Sequence, residues 1–231
     1  ITHVTETLVS VRRFTVVNCY LVLETDGATV IDTGMPGTDR MVLRAAQEAG
    51  VPIARVALTH AHFDHVGALD ALAEKVPDAE FLFTPRTARL LTGDLSLDAE
   101  EAQIPLKSGF STRKTTPTRT IAPGERVGSL RVIASPGHSP DHVAFLDERD
   151  GTLVCGDAFQ TKGGLAVAGV VRIGFPLPAI GTWDAATAAR SGRVLADLRP
   201  TRLAPGHGRV LENAADAMSE AAAEAEAKFL R

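Results

Sequence analysis

Four side chains that can bind metal ions lie close together in one segment of the chain. Residues 58–67 read LTHAHFDHVG, and they contain His60, His62, Asp64 and His65 within six positions. Imidazole and carboxylate are ligands that zinc and its first-row neighbours accept, and neither group carries redox chemistry of its own. A single histidine is usually a surface or satisfied core residue, but four potential ligands at this spacing predict a metal site.

The sequence on either side predicts how these side chains are positioned. An apolar run from Ile53 to Leu58 predicts a strand before the segment, and a helical pattern from Val66 to Val76 predicts a helix after it. Alternate residues of an extended backbone face the same side, so the first two histidines can hold one cation. Where the chain turns into the helix, the aspartate and the third histidine point towards a second position nearby.

Further potential ligands follow the ends of later predicted strands. The chain has seven histidines, and all except His3 lie in such strand-end motifs. The glycines beside them suit tight turns that bring several strand ends to one point. The strands and the residues that follow them are Leu130–Ala134 with His138 and His142, Thr152–Cys155 with Gly156 and Asp157, and Arg202–Ala204 with Gly206, His207 and Gly208.

The rest of the pattern predicts one domain, residues 1–231, in which strands and helices alternate. An antiparallel meander comes first, and it ends at Asp32, an acidic side chain at a strand tip. Residues 84–123 are largely irregular, which is typical of a functional loop. The other predicted strands are Val4–Val11, Phe14–Leu23, Thr29–Ile31 and Glu80–Thr84, and the other predicted helices are Thr38–Ala49, Arg86–Leu91, Asp184–Leu198 and Asn213–Leu230.

Composition limits the classes of function. The 231 residues are 45% hydrophobic, enough for a substantial core, and no apolar run approaches the roughly 20 residues of a membrane span. A net charge of −4 argues against a nucleic-acid partner, since such proteins carry a basic footprint. The two cysteines, Cys19 and Cys155, favour a reducing, cytoplasmic location, although the first residue, Ile1, leaves a removed signal peptide as an alternative. We expect a small-molecule substrate and no membrane partner.

The motif set resembles the metallo-β-lactamase superfamily. The matching segments are IDTG at 31–34, HAHFDH at 60–65, PGH ending at His138, GD ending at Asp157 and PGHG around His207. The resemblance implies an α/β (α+β) fold, a four-layer αββα sandwich with a dinuclear metal site along one edge of the two sheets. It extends from residue 4 to about residue 210.

The resemblance also implies roles for individual side chains. Asp157 would bridge two divalent metal ions, for which zinc is favoured and iron or manganese are alternatives. Asp32 and His142 would support the site without binding metal. The ligands of the first metal would be His60, His62 and His138, and those of the second would be Asp64, His65 and His207.

Family members of this kind are hydrolases, so we expect an ester, lactone or thioester to be attacked by a metal-bridging hydroxide. Asp64 would orient that hydroxide and pass its proton to the leaving group.

The sequence differs from several subfamilies of the family. Many β-lactamases of the family have cysteine where this chain has Asp157, and acyl-homoserine lactonases have a tyrosine before the last histidine, whereas the one tyrosine here is Tyr20. The basic helical domain of glyoxalase II enzymes and the RNA-binding arm of transfer-RNA nucleases have no counterpart. A lactonase-like or esterase-like hydrolase is the preferred interpretation.

Two alternative functions remain from the sequence. A mononuclear iron persulfide dioxygenase of the same superfamily would use a subset of the ligands, and a non-catalytic binding module would keep only the fold.

Residues 159–183 are rich in glycine and apolar side chains and predict an apolar wall for a neutral or amphipathic substrate. The other interpretation of that segment is core or the contact of a homodimer.

Overall fold

The computed structural model describes residues 1–107 and 109–230, and within them two main sheets are seen. The first sheet follows the order of the chain. Its first four strands pair antiparallel, and each later strand pairs parallel with the one before it. The strands are β1 (Thr2–His3), β2 (Leu8–Arg13), β3 (Val17–Glu24), β4 (Gly27–Ile31), β5 (Ile53–Ala57), β6 (Glu80–Phe83) and β7 (Arg119–Thr120).

The second sheet comes from the later half of the chain. Its strand order is β15-β14-β11-β10-β9-β8, and β11 and β14 form its parallel pair. A separate two-stranded ribbon, β12 with β13, follows β11. These strands are β8 (Arg126–Val127), β9 (Leu130–Ala134), β10 (Val143–Asp147), β11 (Thr152–Gly156), β12 (Phe159–Gln160), β13 (Ala166–Val167), β14 (Arg202–Pro205) and β15 (Leu211–Glu212).

Helices cover the outer face of each sheet. None of the described helices has the length and apolar character needed to cross a membrane. The helices are α1 (Asp39–Ala49), α2 (Phe63–Val66), α3 (Leu69–Ala73), α4 (Pro85–Leu91), α5 (Leu177–Gly181), α6 (Ala185–Asp197) and α7 (Ala215–Phe229).

The alternation of side chains along β3 builds two of the three core layers. Cys19 and Leu21 pack against α1 and α3, whereas Tyr20 and Val22 pack against the second sheet. On its far side the second sheet packs against α6 and α7, where Met218 is fully buried. Helix, sheet, sheet and helix are therefore stacked in that order, and the predicted αββα sandwich is confirmed.

The helix predicted for Val66–Val76 is wrong in its start and its continuity. The structure has α2, which begins at Phe63, and then α3, with a break at Gly67 and Ala68. Gly67 packs so closely on the carbonyl oxygen of Gly34 that a Cβ would lie 2.8 Å from it. The break therefore follows from a close approach of two chain segments that periodicity does not record.

The strand predicted for Phe14–Leu23 begins later than expected. Phe14 and Thr15 have φ values of 50° and 57°, in the left-handed region, and they form a turn between β2 and β3. The first predicted strand likewise begins at Leu8 instead of Val4. The remaining predicted helices and strands agree with the structure to within two residues at most ends.

Candidate metal centre

The ends of strands from both sheets converge at one edge of the sandwich. The loop after β5 and helix α2 supply four of the predicted ligands, and the loops after β9, β11 and β14 supply one each. Seven donor side chains meet there in three overlapping groups, and within each group the donor atoms lie within 4.8 Å of one another. The groups are His60, His62 and His138; His60, His65 and Asp157; and Asp64, His65 and His207.

Asp157 lies between the two outer groups. One carboxylate oxygen, Oδ1, is 3.3 Å from Nε2 of His65. The other, Oδ2, is 3.3 Å from Nε2 of His138 and 3.1 Å from Nε2 of His207. A single carboxylate therefore faces donors of both groups at once, which is the geometry that a bridging ligand requires.

The donor set fits divalent transition-metal ions. His60 and His62 each have a buried Nε2 atom without a hydrogen-bond partner among the described residues. A buried polar group left unpaired costs about 1–3 kcal/mol. Histidine nitrogens and carboxylate oxygens are the ligand types that zinc and iron accept, so cations between these atoms would remove that cost.

Asp32 holds two of the histidines in place from behind. Its carboxylate accepts hydrogen bonds from the Thr59 backbone N–H, the Thr59 hydroxyl and His65 Nδ1, each 2.7 Å long. The Thr59 hydroxyl in turn accepts a hydrogen bond of 2.9 Å from His60 Nδ1. Both rings are thereby oriented with Nε2 towards the cluster. Asp32 itself has φ 60°, a left-handed conformation that these three hydrogen bonds stabilise.

His207 and His138 are oriented by hydrogen bonds in the same way. His207 donates from Nδ1 to the backbone carbonyl of Val16, 2.9 Å away, and His138 Nδ1 lies 3.2 Å from the Thr182 hydroxyl. His142 differs, because its Nε2 accepts a hydrogen bond from the backbone N–H of Asp157 and its Nδ1 contacts the Ser135 hydroxyl. Both nitrogens of His142 are engaged, so it lies beside the cluster and supports Asp157.

The family assignment follows from the chain as a whole. The sequence model described as the metallo-beta-lactamase superfamily matches residues 12–207. The chain belongs to the metallo-β-lactamase superfamily. The expected resemblance is confirmed, and the strand ends that converge here are those of the family's fold.

Individual relatives agree with this assignment. An uncharacterized protein of Bacillus subtilis, YobT, is 44% identical over 206 residues, which cover 89% of this chain and 88% of YobT. A probable metallo-hydrolase of the same organism, YflN, is 31% identical over 78% of this chain and 74% of YflN. The solved structure of TTHA1623 in a di-iron-bound form has a TM-score of 0.64 and 28% identity, and the match covers 91% of this chain and 96% of TTHA1623. The chain is thus a metallo-hydrolase homologue whose relatives include a metal-bound protein.

Three histidines of this superfamily member are electrically neutral near pH 7. Burial lowers the pKa of His62 to about 4, and it lowers the pKa values of His60 and His138 well below the ordinary range. Neighbouring histidines lower the pKa of His60 further. This half of the cluster therefore offers unprotonated nitrogens to a cation.

The other half of the cluster consists of mutually charged groups. Burial alone would lower the pKa of His207, but the carboxylates of Asp157 and Asp64 raise it to about 10. Burial would raise the pKa of Asp64, but His65 and His207 lower it to about 2. The pKa of His65 is raised in the same manner by three carboxylates that outweigh its burial. Protons therefore occupy this half when metal does not.

The sequence pattern did not predict a supporting role for Asn18. It is buried in β3, and its Nδ2 donates hydrogen bonds to the carbonyl oxygens of Pro205 and Gly208 at 2.8 and 2.7 Å. Its Oδ1 accepts a hydrogen bond of 2.9 Å from Arg12 Nε. The Asn18 amide therefore helps to hold the loop that carries His207. The feature of the sequence that could have indicated this role is a single amide side chain within a largely apolar strand.

A cavity of about 580 Å³ opens over the cluster. Its floor consists of ligand side chains and its walls are apolar. The segment 159–183 divides between two environments: Phe159, Val167 and Val170 are buried in the core, whereas Phe175, Leu177 and Ile180 line the cavity. The full lining is Phe14, Val16, Val17, Met35, His62, Asp64, His138, Asp157, Phe175, Leu177, Pro178, Ile180, Gly181 and His207.

Proposed function

We propose that this protein is a hydrolase that holds two divalent metal ions and cleaves an ester, lactone or thioester bond of a small molecule. The observation that carries the proposal is the position of Asp157, whose two oxygens face donors of both ligand groups. Two ions held in this way would lower the pKa of bound water and would polarise a scissile carbonyl. Zinc is the favoured metal, with iron and manganese as alternatives.

Asp64 is the side chain best placed to handle protons. Its carboxylate is about one-third exposed at the edge of the cavity, and Oδ2 lies 3.3 Å from Nε2 of His207. A carboxylate is ionised at neutral pH, so the Asp64 side chain would accept a proton from the attacking water. A substrate in the cavity would then receive that proton on its leaving oxygen or sulfur.

The remaining side chains orient the reacting groups. The hydrogen bonds that the histidines make to Asp32, Thr182 and the Val16 carbonyl fix the imidazole planes, so little reorganisation accompanies the reaction. The half-buried cavity limits the number of water molecules beside the substrate.

A persulfide dioxygenase, which needs a single iron, is a weaker candidate. The second group, made by Asp64, His65 and His207, supplies donors that a mononuclear centre does not use. We therefore assign the full donor set to a dinuclear hydrolase.

The test is a metal analysis followed by a substrate screen. Protein purified without added metal and then saturated with zinc or manganese should bind two ions per chain, measured by elemental mass spectrometry. Lactones, aryl esters, thioesters, phosphodiesters and a chromogenic β-lactam should then be compared, with oxygen uptake on a persulfide as a separate arm. One ion at saturation, with oxygen uptake and no hydrolysis, would replace the hydrolase by the dioxygenase.

A further inference from the structure

Three large apolar side chains are exposed around the mouth of the cavity. Phe14 is 66% exposed, Leu177 61% and Ile180 65%. Phe14 lies in the turn between β2 and β3, whereas Leu177 and Ile180 belong to α5. These two segments are far apart in sequence, yet all three side chains line the same cavity. Exposed apolar side chains grouped around one opening mark a surface that is covered when a ligand binds.

Helix α5 is attached directly to the candidate metal centre. The Thr182 hydroxyl at its end donates a hydrogen bond of 2.7 Å to the carbonyl of Pro178 and accepts one of 3.2 Å from His138 Nδ1. The backbone N–H of Trp183 donates to the carbonyl of His138 at 2.9 Å. Leu177 and Ile180 therefore lie at a fixed position relative to a predicted metal ligand.

The opposite wall is attached in an equivalent way. The carbonyl of Val16 accepts the hydrogen bond from His207, and the carbonyl of Thr15 accepts one of 3.0 Å from Lys162 Nζ. The ring of Phe175 lies 5.3 Å from the His207 ring, measured between centroids. Both apolar walls are thus built onto the ligand histidines, and they form part of the site.

The cavity walls offer no positively charged side chain to an anionic substrate group. Among the described lining residues there is no lysine or arginine, whereas Asp64 and Asp157 contribute carboxylates. Two cations contact wall residues without lining the cavity: Lys162 Nζ donates to the Thr15 carbonyl, and the Arg13 guanidinium lies 4.6 Å from the centre of the Phe14 ring. A carboxylate inside the cavity would find no partner of opposite charge among these side chains except bound metal.

We propose that the walls formed by Phe14, Leu177 and Ile180 bind an uncharged alkyl chain, so that the substrate is a neutral ester or lactone with an apolar tail. This proposal rests on the proposed hydrolase function. The walls contribute hydrophobic burial, and the ligand side chains at the floor contact the scissile group. A substrate with a charged tail loses this burial and finds no charged partner in the walls.

The first experiment measures kcat/KM of the metal-loaded enzyme on straight-chain nitrophenyl esters from acetate to decanoate and on lactones with matching tails. Each added methylene should raise kcat/KM by up to about fourfold until the walls are filled. The double variant Leu177→Ala, Ile180→Ala should flatten this dependence and lower kcat/KM for the longest efficient ester by about tenfold or more. Val194→Ala removes an equally exposed apolar side chain on α6 outside the cavity and should behave as the unmodified enzyme.

The second experiment does not depend on turnover. Binding of octanamide, a neutral amide with an alkyl tail, is measured by calorimetry at several temperatures in the protein as purified, with the dicarboxylate suberate as the charged control. Octanamide should bind with a negative heat-capacity change that the double variant reduces, and suberate, measured in the same protein, should show a smaller change.

The outcomes separate this proposal from the one on which it rests. Octanamide binding without hydrolysis of any ester or lactone would remove the hydrolase assignment and keep the apolar site. Hydrolysis at a rate independent of chain length and unaffected by the double variant would overturn the apolar site and keep the hydrolase. A lower molar mass of the double variant in light scattering, with an unchanged chain-length profile, would assign this face to contact between two copies and would likewise overturn the proposal.

Discussion

His65 donates a hydrogen bond of 2.7 Å from Nδ1 to the carboxylate of Asp32, and both side chains are buried. Asp32 follows β4, whereas His65 belongs to α2, so this hydrogen bond joins a strand tip to the segment that carries four predicted ligands. Because the same carboxylate also accepts two hydrogen bonds from Thr59, this side chain contacts the loop at both Thr59 and His65.

Replacing Asp32 tests whether its carboxylate positions the metal ligands. Asp32→Ala should lower the metal affinity of the second site by about 10- to 100-fold, because His65 loses the acceptor that orients its ring. Competition titrations with a chromogenic chelator measure both sites. Asp216→Ala, which removes an exposed carboxylate on α7, is the matched control and should leave both affinities unchanged. Equal affinities for Asp32→Ala and the control would show that the loop holds its shape without the carboxylate.

Asp157→Ala should weaken both metal sites together. The carboxylate faces His65, His138 and His207 within 3.3 Å, and its charge offsets the repulsion between two cations. Elemental analysis after dialysis against a weak chelator should find the loss of both ions. A variant that lost one ion and retained full activity would contradict the bridging position.

Metal binding should release protons from one half of the cluster. In metal-free protein the carboxylates around His207 outweigh its burial and raise its pKa to about 10, and the pKa of His65 is raised as well. Both imidazoles are therefore protonated at pH 7, and a cation must displace one proton from each. Affinity for the second ion should rise as the pH rises towards 10 and fall as the pH drops.

Calorimetry in buffers of different ionisation enthalpy at pH 7 counts these protons. The first ion should release none from His60, His62 and His138, because burial lowers their pKa values. Equal proton release for both ions, or none for either, would contradict the assignment of charges.

Asn18 should affect the second metal site without touching it. In Asn18→Asp the two donated hydrogen bonds to Pro205 and Gly208 are lost and a carboxylate faces their carbonyl oxygens. The free energy of unfolding should fall by about 1–3 kcal/mol, and the affinity of the second ion should fall more than that of the first. Tyr20→Phe, which removes one hydrogen bond to the Pro205 carbonyl, should have a smaller effect in the same direction. Equal losses of affinity at both sites would indicate general destabilisation instead of positioning.

The strand-end ligands could be predicted from the sequence because their signal is local. Apolar runs such as Leu130–Ala134 mark strands by composition, and the histidine or aspartate that follows each one lies where the strand must end. The structure brings all of these side chains together at one edge. The αββα order was predictable for a related reason, since the motif set is specific to one family.

The supporting contacts could not be predicted, because they join segments far apart in sequence. Asn18 and Pro205 are 187 positions apart, and neither has a local pattern that names the other. The break at Gly67 depends on its contact with Gly34, and the turn at Phe14 depends on a left-handed backbone that periodicity does not reveal. The division of segment 159–183 into core and cavity wall likewise depends on the placement of α5 by Thr182.

Asp64 has two proposed roles, as a ligand of the second metal and as the group that transfers a proton. Substitution by asparagine separates these roles. Asp64→Asn keeps the shape and one carbonyl oxygen near His207 but removes the charge and the proton acceptor. Metal affinity should fall moderately, while turnover should fall by about 10²- to 10⁴-fold, the usual contribution of general acid–base catalysis. Both quantities are measured after the variant is reloaded to the same metal content as the unmodified enzyme.

The leaving group decides whether that loss reflects proton transfer. Alkyl esters need protonation of the departing oxygen, whereas nitrophenyl esters leave without it, so Asp64→Asn should lose more activity on the alkyl esters. The matched measurement is kcat for pairs of esters that share one acyl chain and differ in the leaving alcohol. Equal losses on both members of each pair would show that Asp64 acts as a metal ligand and takes no part in protonating the leaving group.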